Sequence, residues 1–194
     1  KATLLARTGN TDLCVATAMA NRGQQWTERV IGPVENTTLI RTRMEQDLSF
    51  LEALGRVRNA VLEAHARQDI PFEVVSERLA DEAGIDTTSL IQAFFVLQNA
   101  MQRPLRLSDV TVHSFGNVHR EGQPVLPIDR TRLTLILKEH PFGIGGSCSY
   151  KEEVFEASSV RDVIADYHSI LQRAVANPRT QLGRLIEQGA PWAP

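Results

Sequence analysis

Residues 90–97, Leu-Ile-Gln-Ala-Phe-Phe-Val-Leu, constrain the fold more than any other stretch of this chain. They are apolar at both sets of alternating positions, and Gln92 is the one polar residue among them. A short run that is apolar on both faces is typical of a strand covered on both sides of a sheet. The sequence therefore predicts that this stretch is the central strand, with Phe95 buried.

Other segments supply further strands and several helices. Alternating or β-branched stretches predict strands at residues 13–20, 37–44, 110–115, 132–138 and 142–150. Apolar periodicity and capping signals predict helices at 1–7, 49–67, 71–80 and 159–177, and a short segment at 180–188. This order is not a βαβ alternation, so it favours an α+β sandwich in which helices pack on a mixed sheet.

Two helix starts carry clear signals. Ser49 with Glu52 forms a capping box, in which each residue satisfies a free backbone N–H of the other. Asp69 is expected to cap the next helix, and Pro71 fits its first turn. The first of these helices carries one apolar stripe, formed by Phe50, Leu54, Val57, Val61 and Ala64.

The ends of the chain indicate a piece of a longer protein. The 194 residues fit one domain, but residues 1–7 resemble the last turns of a helix, with Gly9 or Asn10 as its C-terminal cap. A domain rarely begins inside a helix. Residues 191–194, Pro-Trp-Ala-Pro, resemble the start of a linker.

Composition excludes several classes of function. The net charge is -2, with no basic block for a phosphate backbone, so nucleic acid is not expected as a partner. The chain has no apolar run of membrane-spanning length and no signal peptide, so no membrane contact is expected. Cys14 and Cys148 are expected to be reduced, packed thiols, which indicates the cytoplasm.

The sequence contains no catalytic or metal-binding motif that could work alone. Its five histidines do not form a metal-ligand pattern, so no metal is expected. G-x-S-x-G is absent, and the glycines at 143–146 do not precede a helix as a phosphate-binding loop would. Nothing in this chain is predicted to run a reaction by itself.

Four stretches in fixed order nevertheless resemble a known family. They are VATAMANR (15–22), IGPVENTTLIR (31–41), RQDIPFE (67–73) and SLIQAFFVLQN (89–99). From about residue 3 to residue 188, the chain is similar to the second half of a condensation domain of nonribosomal peptide synthetases. RQDIPFE and the Gly-to-Asn-Thr-to-Arg pattern of 32–41 are the most specific parts. Pro33, Glu35 and residues 86–90 depart from the usual family pattern.

The resemblance implies two chloramphenicol-acetyltransferase-like lobes with the active site in a tunnel between them. The family's histidine signature, two histidines followed after three residues by Asp-Gly, belongs to the first lobe and is absent here. Residues 1–188 are therefore expected to be a C-terminal lobe without catalytic residues of its own, followed by a linker at 189–194.

The resemblance also implies a reaction and partners. An amine on the phosphopantetheine arm of an acceptor carrier protein would attack a donor thioester and form an amide, with a histidine of the N-terminal lobe accepting or orienting the amine's proton. No cofactor is expected to bind this chain directly. The expected partners are the N-terminal lobe, donor and acceptor carrier proteins, and a downstream adenylation domain.

The candidate site residues fall into two groups. Tunnel or latch candidates are Asn36, Thr37, Arg41 and Asn21, and structural-motif candidates are Gln68, Asp69, Pro71 and Phe72. For Asn36 two interpretations stay open: hydrogen bonding to loop backbone, which is favoured, and contact with substrate. For RQDIPFE the structural interpretation is stronger still, with Asp69 capping a helix and Phe72 docking it.

Two rival functions share this fold. One is a degenerate condensation-like binding domain that recruits a tailoring enzyme or spaces its neighbours. The other is an epimerisation-type domain, which the Asn-Thr-to-Arg stretch favours less. An intact histidine motif upstream of Lys1 would favour the enzyme, and its loss would favour the scaffold.

Overall fold

The computed structural model describes residues 1–84, 90–98, 131–140 and 142–187. Each element predicted within these ranges is present, with its ends shifted by a few residues, whereas the predicted strand at 110–115 lies outside them. The α-helices and strands are α1 (Ala2–Thr8), β1 (Asp12–Met19), β2 (Asn36–Arg43), α2 (Phe50–His65), α3 (Phe72–Ala83), β3 (Ala93–Gln98), β4 (Leu133–His140), β5 (Gly143–Tyr150), α4 (Ala157–Ala176) and α5 (Leu182–Ile186).

The described strands form one mixed sheet in the order β2-β1-β3-β4-β5. Strand β2 is antiparallel to β1 and β5 is antiparallel to β4, whereas β3 is parallel to both of its neighbours. The predicted α+β class with a mixed sheet is therefore confirmed. Strand β3 lies at the centre, as the apolar run at 90–97 predicts.

The prediction that β3 is buried on both faces is wrong. Phe94 is 5% exposed and packs with Ala16 of β1 and Phe72 of α3. Phe95 is only partly buried, and Leu97 is 40% exposed. Successive side chains of a strand point to opposite faces, so Phe94 and Phe95 have different surroundings. Apolarity predicts that a strand is central but does not show how well each face is covered.

Besides the cluster of Ala16, Phe72 and Phe94, two further apolar clusters fix helices to the sheet. The larger one joins α1, α2, α4 and α5 to β1, through Ala2, Leu5, Leu13, Met44, Ala53, Ile170, Ala174, Leu182, Leu185 and Ile186. The other joins α4 to β4 through Leu133, Val160 and Val163. Each fully buried leucine or isoleucine contributes about 1.5–3 kcal/mol of transfer free energy, so these clusters anchor the helices to the sheet.

Helix α2 begins at a junction of two chain segments. The predicted capping box is present: Ser49 Oγ accepts from the N–H of Glu52, and the Glu52 carboxylate accepts from the N–H of Ser49 at 2.8 Å. The N–H groups of Phe50 and Leu51 donate to backbone carbonyls of the segment 178–180, both at 2.9 Å. The segment that follows α4 therefore secures the start of α2.

The apolar stripe of α2 lies partly at the surface. Ala53 is the one buried residue of the helix, and Phe50 and Val57 pack partly against the larger cluster. Leu54 is 52% exposed and Val61 is 37% exposed, although the sequence placed both on the stripe facing the core. The buried face of α2 is thus narrower than the apolar stripe, because the larger cluster contacts Phe50 and Val57 but leaves Leu54 and Val61 exposed.

No helix in the described part of the chain is long and apolar enough to cross a membrane. Residues 188–194, with the predicted domain boundary and linker, lie outside the described ranges.

Candidate functional site

Asn36 joins the start of β2 to the turn between α2 and α3. Its amide nitrogen donates to the carbonyl of Gln68 at 2.8 Å and to that of Ile70 at 2.6 Å, and its amide oxygen accepts from the N–H of Phe72 at 3.1 Å. We call these four residues the Asn36 junction. An amide fits this position because it offers donors and an acceptor in one rigid group. Two of the motif stretches singled out in the sequence are therefore hydrogen-bonded to each other.

The start of α3 differs from the prediction in its cap. Asp69 does not cap this helix: the N-cap residue is Pro71, and no side chain of the N-cap makes a capping hydrogen bond. The free N–H of Phe72 is instead satisfied by Asn36, which a local capping rule does not consider. The Phe72 side chain is 6% exposed and packs in one cluster with Ala16 and Phe94.

Gln68 brings a further segment to the junction. Its side-chain nitrogen lies 3.4 Å from Nε2 of His65, at the end of α2. The same nitrogen would lie 3.9 Å from a Cβ atom placed on Gly23. The Gln68 side chain therefore lies close to Gly23, near the start of the loop formed by residues 20–35.

The 20–35 loop is held in shape by Arg22. Its guanidinium donates to the carbonyls of Thr27, of Val30 at 3.0 Å and of Gly32 at 3.2 Å. Hydrogen bonds from a charged donor are stronger than neutral ones, so the loop has a defined conformation. No local signal in the sequence indicates this role, because the accepting carbonyls lie up to ten residues away.

The other latch candidates lie around the same strand. Asn21 starts the loop with a φ of 48°, a left-handed conformation that asparagine tolerates better than most residues. Thr37 and Arg41 are four residues apart on β2 and share one face, whereas Asn36 belongs to the opposite face. The structure thus brings Asn36 together with Gln68 and Phe72 but separates it from Thr37 and Arg41.

Arg41 is engaged in a surface ion pair. Its Nε lies 2.9 Å from one carboxylate oxygen of Asp12, and Nη2 lies 2.6 Å from the other. The hydrogen bond from Arg41 holds the pKa of Asp12 below its usual value. The Arg41 side chain is 73% exposed, so this ion pair contributes little to stability.

An open pocket of about 270 Å³ lies at the base of the loop. Its lining residues are Ala20, Arg22, Gly32, Pro33, Val34 and Glu35. Arg22, the one basic residue of the lining, already uses three of its five N–H donors on carbonyls of the loop. The pocket on its own therefore does not define a substrate site.

The described residues contain neither a metal-ion cluster nor a paired or activated thiol. Within them, no group of three or more histidine, cysteine or acidic side chains could hold a metal ion. Both cysteines are free thiols, and Cys14 is exposed rather than packed as predicted. Burial raises the pKa of the Cys148 thiol to about 11, so this group stays protonated near neutrality. What this region supplies is fixed backbone geometry around β2.

Known proteins share this fold and sequence pattern. The family model for the condensation domain matches residues 1–187. A linear gramicidin synthase of Brevibacillus parabrevis is 34% identical over 177 residues, which cover 91% of this chain and 3% of that protein. The chain therefore spans only a small part of this curated relative.

Two solved structures show the same architecture. The first condensation domain of the calcium-dependent antibiotic synthetase, in complex with a substrate analogue, superposes with a TM-score of 0.68 at 17% identity, covering 99% of this chain and 39% of that one. The X-domain in its complex with OxyB from teicoplanin biosynthesis gives 0.65 at 22% identity, with coverages of 100% and 41%.

These matches define the class of protein. The fold is the α+β, chloramphenicol-acetyltransferase-like fold of condensation domains. The chain belongs to the condensation-domain family of nonribosomal peptide synthetases.

Proposed function

We propose that this chain is the C-terminal lobe of a condensation domain that forms an amide bond. The observation that carries the proposal is the family match over residues 1–187, taken with the coverage of solved relatives. Nearly all of this chain aligns with 39% of the antibiotic-synthetase condensation domain. That share is what one of two lobes would occupy. Residues 1–188 would form the lobe and 189–194 the linker.

In the proposed reaction, an amine carried by an acceptor carrier protein attacks the thioester of a donor carrier protein. The new C–N bond forms, the donor thiolate leaves, and a histidine of the N-terminal lobe takes the amine's proton. Both substrates are tethered through phosphopantetheine arms. Thioesters are already activated, so holding the two ends in register can supply much of the rate.

The role of this chain in that reaction is positional. The Asn36 junction fixes the start of β2 against α3, and Arg22 fixes the adjoining loop. A fixed β2 holds Thr37 and Arg41 on one face, where they would form part of the tunnel wall or latch. Asn21 would set the direction of the loop. The further proposed partner is a downstream adenylation domain, and the proposed compartment is the cytoplasm.

The test compares the isolated chain with the complete two-lobe domain. Each is mixed with a loaded donor and a loaded acceptor carrier protein, and the condensed thioester is followed by intact-protein mass spectrometry. We expect product from the complete domain and none above the protein-free rate from the isolated chain. No product from a folded complete domain that binds both carriers would refute the proposal.

A binding domain is the second candidate. The X-domain neighbour is a condensation-like fold in complex with OxyB, so the fold alone does not imply amide formation. An inactive complete domain that still binds a tailoring enzyme would favour this candidate. An epimerisation-type domain would instead invert a carrier-bound residue, and chiral analysis of the product would identify it.

A further inference from the structure

The outer face of α2 carries an unusual set of exposed side chains. Leu51, Leu54 and Leu62 are 52%, 52% and 53% exposed. Together with Arg58 they recur at intervals of three and four residues, so all four align on one side of the helix. They extend over about 16 Å, or three helical turns. We call this the α2 outer face.

The helix does not depend on this face for its position. Its start is capped by Ser49 and by carbonyls of the segment 178–180, and its inward side packs through Ala53. The turn that follows it is tied to Asn36 through the carbonyls of Gln68 and Ile70. Three half-exposed leucines therefore line one side of a fixed helix, with Arg58 between Leu54 and Leu62. Exposed apolar surface of this kind, bordered by a polar residue, typically marks a protein contact.

The charge of the face indicates which partner fits. Arg58 has Leu54, Gly55, Val61 and Leu62 as its three- and four-residue neighbours, so no carboxylate on α2 can pair with it. Nearby Arg56, by contrast, is engaged by the Glu45 carboxylate. Within the described residues, the α2 outer face is therefore an apolar strip with a central positive charge and no negative charge.

We propose that the α2 outer face binds an acidic amphipathic helix of a partner protein. Leucine-like side chains of that helix would pack between Leu51, Leu54 and Leu62, and a carboxylate would pair with Arg58. Apolar contacts would supply most of the affinity, whereas the charge pair would fix orientation and exclude basic partners. This inference stands on α2 itself and does not depend on the amide-forming reaction.

The test uses the 194-residue chain and two synthetic helical peptides. Both carry leucines at helical spacing, and their flanking positions are all Glu in one peptide and all Lys in the other. Fluorescence anisotropy of the labelled peptides should show binding of the Glu peptide. Arg58→Glu should lower the affinity for the Glu peptide about tenfold and raise the affinity for the Lys peptide. This exchange of preference is a result that mere loss of folding cannot produce.

Leu54→Asp tests the apolar part, and Val175→Asp on α4 is the matched control. Val175 is 72% exposed, so its change adds the same charge to another helix surface. We expect Leu54→Asp to abolish binding and Val175→Asp to preserve it, with the melting curves of both variants recorded. Equal effects of these two variants, or no binding of the Glu peptide to the parent chain, would overturn the proposal.

The proposal would also be overturned if a different surface covered the α2 outer face. If a second copy of the chain covers the face, sedimentation will show a dimer that Leu54→Asp dissociates. If the remainder of the condensation domain covers it, a Leu54→Cys variant of the complete domain will take up no more thiol label than the parent domain, in which the exposed Cys14 sets the background. We expect a monomer and rapid labelling.

Discussion

Replacing Asn36 by alanine removes the side chain that joins β2 to α3. Two carbonyls, those of Gln68 and Ile70, lose a donor, and the N–H of Phe72 loses its acceptor. The bond to Ile70 is exposed, so water can replace it, whereas the other two are partly buried. At about 1 kcal/mol for each partly buried bond, we expect a loss of about 2 kcal/mol in unfolding free energy.

Urea unfolding followed by circular dichroism measures this loss. Thr38→Ala on the same strand is the control, since no side-chain hydrogen bond of Thr38 is present in the described part of the chain. Asn36→Asp should be at least as damaging as alanine at neutral pH, because a carboxylate faces two carbonyl oxygens. If Asn36→Ala and Thr38→Ala lose the same unfolding free energy to within about 0.5 kcal/mol, the Asn36 junction does not stabilise the fold and the reasoning is refuted.

Three further predictions concern stability. Arg7 is 8% exposed, and its Nε lies 2.6 Å from a carboxylate oxygen of Asp166. Asp166→Ala would leave Arg7 as an uncompensated buried charge, so it should lower the unfolding free energy measured in urea by about 3 kcal/mol. A loss under about 1 kcal/mol would contradict this prediction. Gly146→Ala should lower the melting temperature far more than Gly145→Ala. A Cβ atom at residue 146 would overlap a backbone carbonyl of β4, whereas one at residue 145 makes ordinary contacts. Equal melting temperatures of the two variants would show that β5 can shift. Burial raises the pKa of Cys148 from 9.0 to about 11, so the folded state holds this proton more tightly and the unfolding free energy should fall as pH rises through that window. The unfolding free energy of Cys148→Ala should fall less over the same range, and identical pH profiles of the two proteins would disprove the shift.

Features that depend on near neighbours in sequence could be predicted. The capping box joins residues three apart, and Gly9 adopts a φ of 65° as the expected left-handed cap. The apolar run at 90–97 correctly predicted a central strand. In each case the residues that decide the structure lie within one short segment.

Features that depend on distant contacts could not be predicted. Local rules favour Asp69 as the cap of α3, yet the acceptor for the N–H of Phe72 is Asn36, which lies 36 residues before Phe72. The burial of Phe95 and Leu54 depends on which helix covers which face, and periodicity does not contain that information. For the candidate site, the sequence pattern identified Asn36 and offered hydrogen bonding to loop backbone as one of its two interpretations. It carried no signal for the role of Arg22.

If this chain is one lobe of a two-lobe amide-forming domain, split-domain complementation tests that proposal most directly. The chain and the preceding half of the domain are produced separately, and condensed product from loaded carrier proteins is quantified for each half and for the mixture. We expect product only from the mixture, at a rate that saturates with increasing chain concentration. The two-lobe proposal would be contradicted if this chain alone formed condensed product. It would also be contradicted if the two halves associated but formed no condensed product under conditions in which the intact domain is active.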